Sequence, residues 1–251
     1  MSDALLQVRN LSIAFGGLKA VQDVSLAVPQ GSLTALVGPN GAGKTTLFAL
    51  LSGFLRPDAG SVRFAGQDIT GRAPHESARL GLTRTFQVVR PFGAQTVRQN
   101  IAVGAHLRVA DRQEALAMAE SVAARVNLSA LLDRPAADLT VAGRKRLELA
   151  RALATQPRLL LLDEVLAGLN PSEIEEMIPV VKKLVEDGVT VLMIEHVMRA
   201  VMSLAEHVWV LAQGRLIASG SPAEVTRDAA VVEAYLGHGA AARLAAHGGR
   251  G

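Results

Sequence analysis

The sequence predicts an α/β fold: a mixed-sheet core with an N-terminal antiparallel β subdomain and an inserted helical subdomain. Three observations predict it. Short alternating strands separated by tight turns open the chain. Short apolar runs followed by helical patterns recur before and after the middle of the chain, as buried parallel strands do. Between them lies a region of helical patterns with little strand character. Composition agrees, since 251 residues at 49% hydrophobic and 20% charged make a globular chain, long enough for one large domain or two small ones. Aromatics are only 3%, so the core is built from Leu, Val, Ile and Ala, and a base-stacking nucleic-acid binder is disfavoured.

The elements follow in order. Strands are predicted over 5–9, 11–15 and 24–28, with turns at Gly16-Gly17 and Pro29-Gln30-Gly31. The run 32–37 is almost fully apolar and reads as a buried strand, and a glycine-rich loop and a helix over 44–52 follow it. Strands are expected over 61–64 and 82–87. The segment 88–155 reads as a mostly helical subdomain, with helices over 96–104, 112–126 and 143–155. A buried strand over 159–162 and a helix over 172–186 resume the alternation. That helix carries Asn170 as N-cap, Pro171 at its first position and Glu173 three residues after the cap, while Pro179 within it predicts a kink or break. Strands over 190–194 and 208–211 come next, and the Gly/Ala/Arg-rich tail 238–251 is expected to be frayed.

The net charge of +3 is too small for a protein that coats a polyanion, although the sequence pI is high. The absence of cysteine excludes disulfide frameworks and thiolate metal sites. The Met1-Ser2-Asp3 start is not a basic region followed by an apolar run, so no signal peptide is expected. No apolar run approaches the roughly 20 residues that span a bilayer, so work at a membrane requires a partner.

The strongest chemical signal is Gly38-Pro39-Asn40-Gly41-Ala42-Gly43-Lys44-Thr45, followed by Thr46, which satisfies the phosphate-loop pattern between a buried strand and a helix. Its glycines let backbone N–H groups wrap phosphate oxygens, and the helix N-terminus adds partial positive charge. Lys44 is expected to reach the β and γ phosphates and the Thr45 hydroxyl to hold Mg²⁺. The second signal is Leu159-Leu160-Leu161-Leu162-Asp163-Glu164, two carboxylates at the C-terminal end of a buried strand, where open α/β sheets bind ligands. Asp163 suits a water-mediated Mg²⁺ contact, and Glu164 suits a general base acting on water. No guanine-reading Asn-Lys-x-Asp stretch is present.

Four weaker signals accompany these. Gln87, at the expected end of its strand, suits contact with Mg²⁺ and attacking water at a hinge; alone it reads as a solvated strand-end glutamine. His196 follows a core strand and can reach a γ-phosphate; alone it reads as a capping or exposed histidine. Phe15 suits stacking on adenine or, equally, a core place at a strand end. The segment Leu139-Thr140-Val141-Ala142-Gly143 precedes a long helix whose start can bind an anion, while Arg144, Lys145, Arg146 and Arg151 alone read as a solvated basic face.

The order of these parts resembles the ATP-binding subunit of ABC transporters from about residue 5 to 237. The resemblance implies a P-loop NTPase of ABC type with a RecA-like core: a single ATPase domain over 1–237, its core in 1–87 and 156–237. In it Phe15 stacks on adenine, Gly38 to Thr45 form the Walker A loop and Gln87 is the Q-loop glutamine. Leu139 to Gly143 hold the signature position, with Thr140, Ala142 and Gly143 facing nucleotide. Asp163 and Glu164 are the Walker B aspartate and catalytic glutamate, Ala167-Gly168-Leu169-Asn170 is the D-loop, and His196 is the switch histidine. ATP and Mg²⁺ are the implied ligands. The implied partners are a second ABC ATPase, two transmembrane permease subunits and, indirectly, an extracytoplasmic solute-binding protein, with no nucleic acid. The implied location is peripheral, on the cytoplasmic face of the inner membrane.

Within the family the chain looks most like ATPases of branched-chain amino acid importers. Leu82-Thr83-Arg84-Thr85-Phe86-Gln87, Ala167-Gly168-Leu169-Asn170-Pro171, Ile194-Glu195-His196 and Glu233-Ala234-Tyr235-Leu236-Gly237 carry that likeness. Related chains serve amides, urea and aromatic acids. An exporter ATPase of the lipopolysaccharide-transport type and a soluble ABC ATPase acting on DNA or ribosomes are the rivals. The first lacks support from Thr85-Phe86-Gln87 and the D-loop; the second usually carries long insertions or two ATPase domains. A catalytically dead partner is opposed by intact Lys44, Asp163, Glu164 and His196. The chain departs from the usual Leu-Ser-Gly-Gly-Gln signature, because Val141 and Ala142 replace both glycines and bring Cβ atoms to a close-approach position. Asn170 replaces the D-loop aspartate and Val165 the usual proline. This asymmetry favours a paralogous partner over an identical copy.

Overall fold

The computed structural model describes residues 4–236; the tail 238–251, expected to be frayed, lies outside them. β1 (Ala4–Phe15) and β2 (Leu18–Pro29) form one long hairpin across the Gly16-Gly17 turn. The sequence suggested two strands where β1 is one. Asn10 takes φ 49° at an irregularity in the pairing between Val8 and Leu11, so the strand bulges and continues. A similar left-handed residue, Asp23, lies in β2, which starts six residues before its expected beginning. β4 (Ala59–Phe64) and the short β5 (Gln67–Asp68) complete an antiparallel sheet of order β2-β1-β4-β5.

The second sheet runs β10-β9-β3-β8-β7-β6. Its strands are β3 (Leu33–Val37), β6 (Leu82–Arg84), β7 (Leu159–Asp163), β8 (Thr190–Ile194), β9 (His207–Ala212) and β10 (Arg215–Gly220). All neighbours are parallel except β10, which runs antiparallel to β9. The parallel strands therefore deliver their C-terminal ends to one edge. β3, β7 and β8 are buried along their whole length, which explains their unbroken apolar runs.

The period of two along these strands splits the core. Ala35, Leu160, Leu162, Val191 and Met193 pack toward the helices, whereas Leu36, Leu159, Leu161, Leu192 and Ile194 pack toward the antiparallel sheet and α1 (Lys44–Leu51). Each fully buried aliphatic side chain contributes about 1.5–3 kcal/mol. α2 (Pro74–Leu80) precedes β6. α3 (Val97–Ala105), α4 (Arg112–Arg125) and α5 (Val141–Ala154) pack on one another, capped by Thr96, Asp111 and Thr140.

α6 (Pro171–Glu186) starts as expected, with Asn170 and Glu173 in a reciprocal capping box and Pro171 in the first turn. Pro179 does not break it. Pro179 and Glu175, whose carbonyl loses its helical donor, are both exposed, so solvent can satisfy that oxygen. α7 (Met198–Leu204), α8 (Pro222–Val225) and α9 (Ala229–Leu236) finish the described chain. The strand expected over 82–87 ends at Arg84, so Gln87 lies three residues past it, in a loop.

Candidate functional site

Four sheet strands end beside one another at the same edge. β3 runs into the loop 38–43, β7 ends in Asp163-Glu164, β8 leads to Glu195-His196, and β6 leads to Gln87. Register fixes this, since Leu36 and Asp163 both align with Ile194.

Close approach explains two glycines of the phosphate loop. A Cβ on Gly38 would lie 2.0 Å from the Leu211 carbonyl oxygen, and one on Gly43 would lie 2.3 Å from that of Ala20. Gly43, at φ 103°, is also the N-cap of α1. Lys44 is buried, and its Nζ donates to the Gly38 and Pro39 carbonyls at 2.7 and 2.9 Å. Burial lowers the Lys44 pKa, while Glu164 and Asp163 favour its charged form.

A cleft of about 1200 Å³ unites most of the expected residues: Phe15, Asn40 through Thr46, Gln87, Glu164 and His196. Its wall beside Phe15 also contains Lys19, Ala20, Gln22, Gln213 and Gly214, none of which stood out in the sequence. The Gln22 amide donates to the Gly214 carbonyl at 2.7 Å, and its side chain donates to the Gln213 carbonyl at 2.9 Å. Phe15 is not a core aromatic; it is 47% exposed in this wall. His196 is exposed at the same cleft.

A second cavity of about 480 Å³ holds Thr45, Gln87 and Asp163 together. Asp163 is 1% exposed, and its Oδ2 accepts from Arg84 Nη2 at 2.6 Å. Its other oxygen, Oδ1, is buried with no hydrogen-bond partner among the described residues. The Arg84 guanidinium lies near the rings of Phe48 and Phe86, at 5.8 and 5.6 Å. Gln87 Nε2 donates to Glu164 Oε2 at 2.5 Å. Glu164 adopts φ 48°, a left-handed conformation, with its amide on the Ile194 carbonyl at 3.0 Å.

Three further groups escaped the sequence reading. Glu195 is buried beneath this edge; the Leu166 amide donates to Oε1 at 2.9 Å, while Oε2 has no partner. Burial pushes its pKa up to about 7. Arg84 was visible only as part of a family string. Lys145 overturns the solvated basic face, being 7% exposed with its Nζ on the Glu164 and Gln87 carbonyls at 2.9 and 3.2 Å. Arg146 pairs with Glu176 and Arg151 with Glu148.

The structure does not bring Thr140, Ala142 and Gly143 to the cleft. They lie at the start of α5, where Thr140 Oγ1 accepts from the Gly143 amide at 3.1 Å. Val141 is 46% exposed there.

Comparison with known proteins completes the identification. The ABC transporter family model matches residues 21–167, and that of the branched-chain amino acid ATP-binding cassette transporter matches 215–241. The chain is 40% identical to the high-affinity branched-chain amino acid transport ATP-binding protein BraF of Pseudomonas aeruginosa, over 94% of this chain and 99% of that one. It is 38% identical, with the same coverage, to the corresponding protein LivG of Escherichia coli. The ADP conformation of an ATP-binding cassette from an ABC transporter superimposes with a TM-score of 0.85 at 33% identity, over 94% of this chain and 99% of that one. A mixed sheet delivering a phosphate loop, two acids, a glutamine and a histidine to one edge is thus matched by relatives along nearly its whole length, and the chain belongs to the ABC transporter family as an ATP-binding cassette.

Proposed function

We propose that this chain is the ATP-hydrolysing motor of a membrane importer for branched-chain amino acids or related small amides and organic acids. The cleft carries the first part of this reading: Lys44, Gln87, Glu164 and His196 line a single cavity. The cargo rests on the relatives' names and on the matched segment 215–241. Residues 1–237 form one ATPase domain in this reading, with 88–155 as its helical subdomain.

Phe15 stacks on the adenine, and the amides of 40–45 with Lys44 hold the phosphates. The site also fits Mg²⁺. Asp163 Oδ1 is a buried oxygen without a partner, and the hydroxyl of Thr45 and amide of Gln87 line the same cavity, an all-oxygen donor set suited to a hard cation. When bound, Mg²⁺ neutralises charge on the phosphates. Glu164 accepts a proton from the attacking water, Gln87 orients that water from beside Glu164, and His196 contacts the γ-phosphate.

Thr140, Ala142 and Gly143 serve the nucleotide of a second ATPase subunit in trans. Val141 and Ala142 put Cβ atoms where backbone approaches phosphate, which favours a paralogue with the usual signature over an identical copy. Of two permease subunits in the complex, one lays a coupling helix beside Gln87 and the segment 88–95, where Phe86, Val88 and Phe92 are exposed, and a solute-binding protein delivers cargo from the other side. No helix among the described residues is long and apolar enough to cross a membrane. In this reading the chain sits peripherally, held by the permease subunits on the cytoplasmic face.

The test is ATP hydrolysis by the purified chain, alone and with the neighbouring ATPase and permease subunits, paired with uptake of labelled leucine into vesicles. Weak activity alone that rises with the partners and drives uptake supports the reading. Full cooperative hydrolysis by the chain alone replaces the paralogue with a homodimer, and hydrolysis without leucine uptake removes the cargo.

A further inference from the structure

The loop that carries Gln87 follows β6, but its bonds change owner within two residues. The Thr85 amide donates to the Leu161 carbonyl of β7 at 2.9 Å, and Thr85 Oγ1 accepts from the Asp163 amide at 3.1 Å. Thr85 therefore belongs to the sheet. Beyond Thr85 the backbone carbonyls of Gln87 and Arg90 turn to α5, while the Gln87 side chain stays on Glu164 and Phe92 bonds Asn100 of α3. The Gln87 carbonyl accepts from Lys145 Nζ at 3.2 Å, and the Arg90 carbonyl accepts from Arg151 Nη1 at 3.3 Å. The Arg151 guanidinium lies 5.1 Å from the centre of the Phe92 ring. Lys145, Glu148 and Arg151 are three residues apart, so they form one row on one face of α5. The row fastens the loop backbone to the helical side, and that backbone changes sides between Thr85 and Gln87.

One member of the row reaches further. Lys145 Nζ also donates to the Glu164 carbonyl at 2.9 Å. The ammonium thus bridges α5, the Gln87 loop and the end of β7. It is nearly buried, and burial lowers its pKa against the pull of the Glu195, Glu164, Asp163 and Glu148 carboxylates, which favour its charged form. A buried cation bound to two backbone carbonyls is costly to displace, which suits a device that must transmit position.

We infer that Lys145 is a positioning residue that ties α5 to the backbone of Glu164, so that displacement of the helical region resets the catalytic glutamate and the Gln87 loop together. The inference rests on Glu164 acting as the base. Lys145 lines neither the cleft nor the cavity beside it; it acts through the two carbonyls it holds.

The test is Lys145→Met in the full chain assembled with its partner subunits. Expected are a kcat at least tenfold lower, a KM and an affinity for a fluorescent ATP analogue within twofold of the parent, and substantial recovery in Lys145→Arg. In a Glu164→Gln background, Lys145→Met should add no further loss, because both changes act on one group. An unchanged kcat overturns the inference, as does a nucleotide affinity that falls in step with kcat, or a loss that multiplies fully with that of Glu164→Gln. Where Lys145→Met does not fold, Lys145→Gln is judged by the same criteria; failure of both to fold makes Lys145 a structural residue and overturns the inference. If Glu164→Gln alone retains normal turnover, the base assignment fails first, whatever Lys145 does.

Discussion

The strand-end edge and the start of α5 are built to different standards. At the edge, Glu164 holds a left-handed backbone, and Asp163 Oδ1 and Glu195 Oε2 are buried without partners among the described residues. At the start of α5, Thr140 caps the helix and regular turns follow. Strain and unmet hydrogen bonds persist where other contacts hold them and chemistry uses them. From Thr140 to Gly143 the described residues leave no such group, and it is there that the signature glycines are proposed to have been replaced. The same difference separates residues proposed to work on the chain's own nucleotide from those proposed to work on a partner's.

Four variants test that contrast. Glu164→Gln has the largest expected effect: turnover of the assembled transporter falls about 10²–10⁴-fold, as for loss of a general base, while nucleotide binding persists. Near-normal turnover would place the working site on the partner subunit. Glu195→Gln probes the buried charge. The folded pKa of about 7 lies above the unfolded value of 4.5, so the folded chain keeps a proton that the unfolded chain sheds. Stability is therefore lost as pH rises from about 4.5 to 7, and the full penalty remains above that. The variant should be more stable than the parent by about 1–3 kcal/mol at pH 8 and equal to it at pH 4, read from urea melts. Phe15→Ala should weaken ATP binding by about 1 kcal/mol, roughly fivefold, in a fluorescence titration. The double change Val141→Gly with Ala142→Gly should have the smallest effect. It is expected to raise hydrolysis by the chain alone a few-fold, about 0.5–1 kcal/mol in the barrier, and to leave its own nucleotide affinity unchanged. No gain would show that the two Cβ atoms are harmless.

Much of this was legible because it depends on local spacing. The phosphate loop, the apolar run into Asp163-Glu164 and the Asn170-Pro171-Glu173 cap each lie within a few residues, and their physics is local. Where partners are distant, the sequence was mute. Lys19, Gln22 and Gly214 enter the cleft only because β1, β2, β9 and β10 come together. Lys145 read as one member of a basic run until packing buried it. α2 was missed because it is seven residues long with only Ser77 buried, too little for a helical period. β10 was missed because it alternates weakly, four of its six residues being half-buried. The strand before Gln87 was read too long because Phe86 looks like a core residue, yet it is exposed where the loop leaves the sheet.

The bonds from Gln22 to Gln213 and Gly214 carry a consequence for the chain while it is being made. Gln22 and Gln213 are separated by 191 positions. A ribosome adding about 5–20 residues per second needs roughly 10–40 s to cover that distance. For most of that interval the β1–β2 hairpin exists with one wall of its pocket still untranslated. Capture at the proposed adenine wall therefore waits until translation has passed Gly214, and chains truncated before that turn should emerge without a closed Phe15 wall.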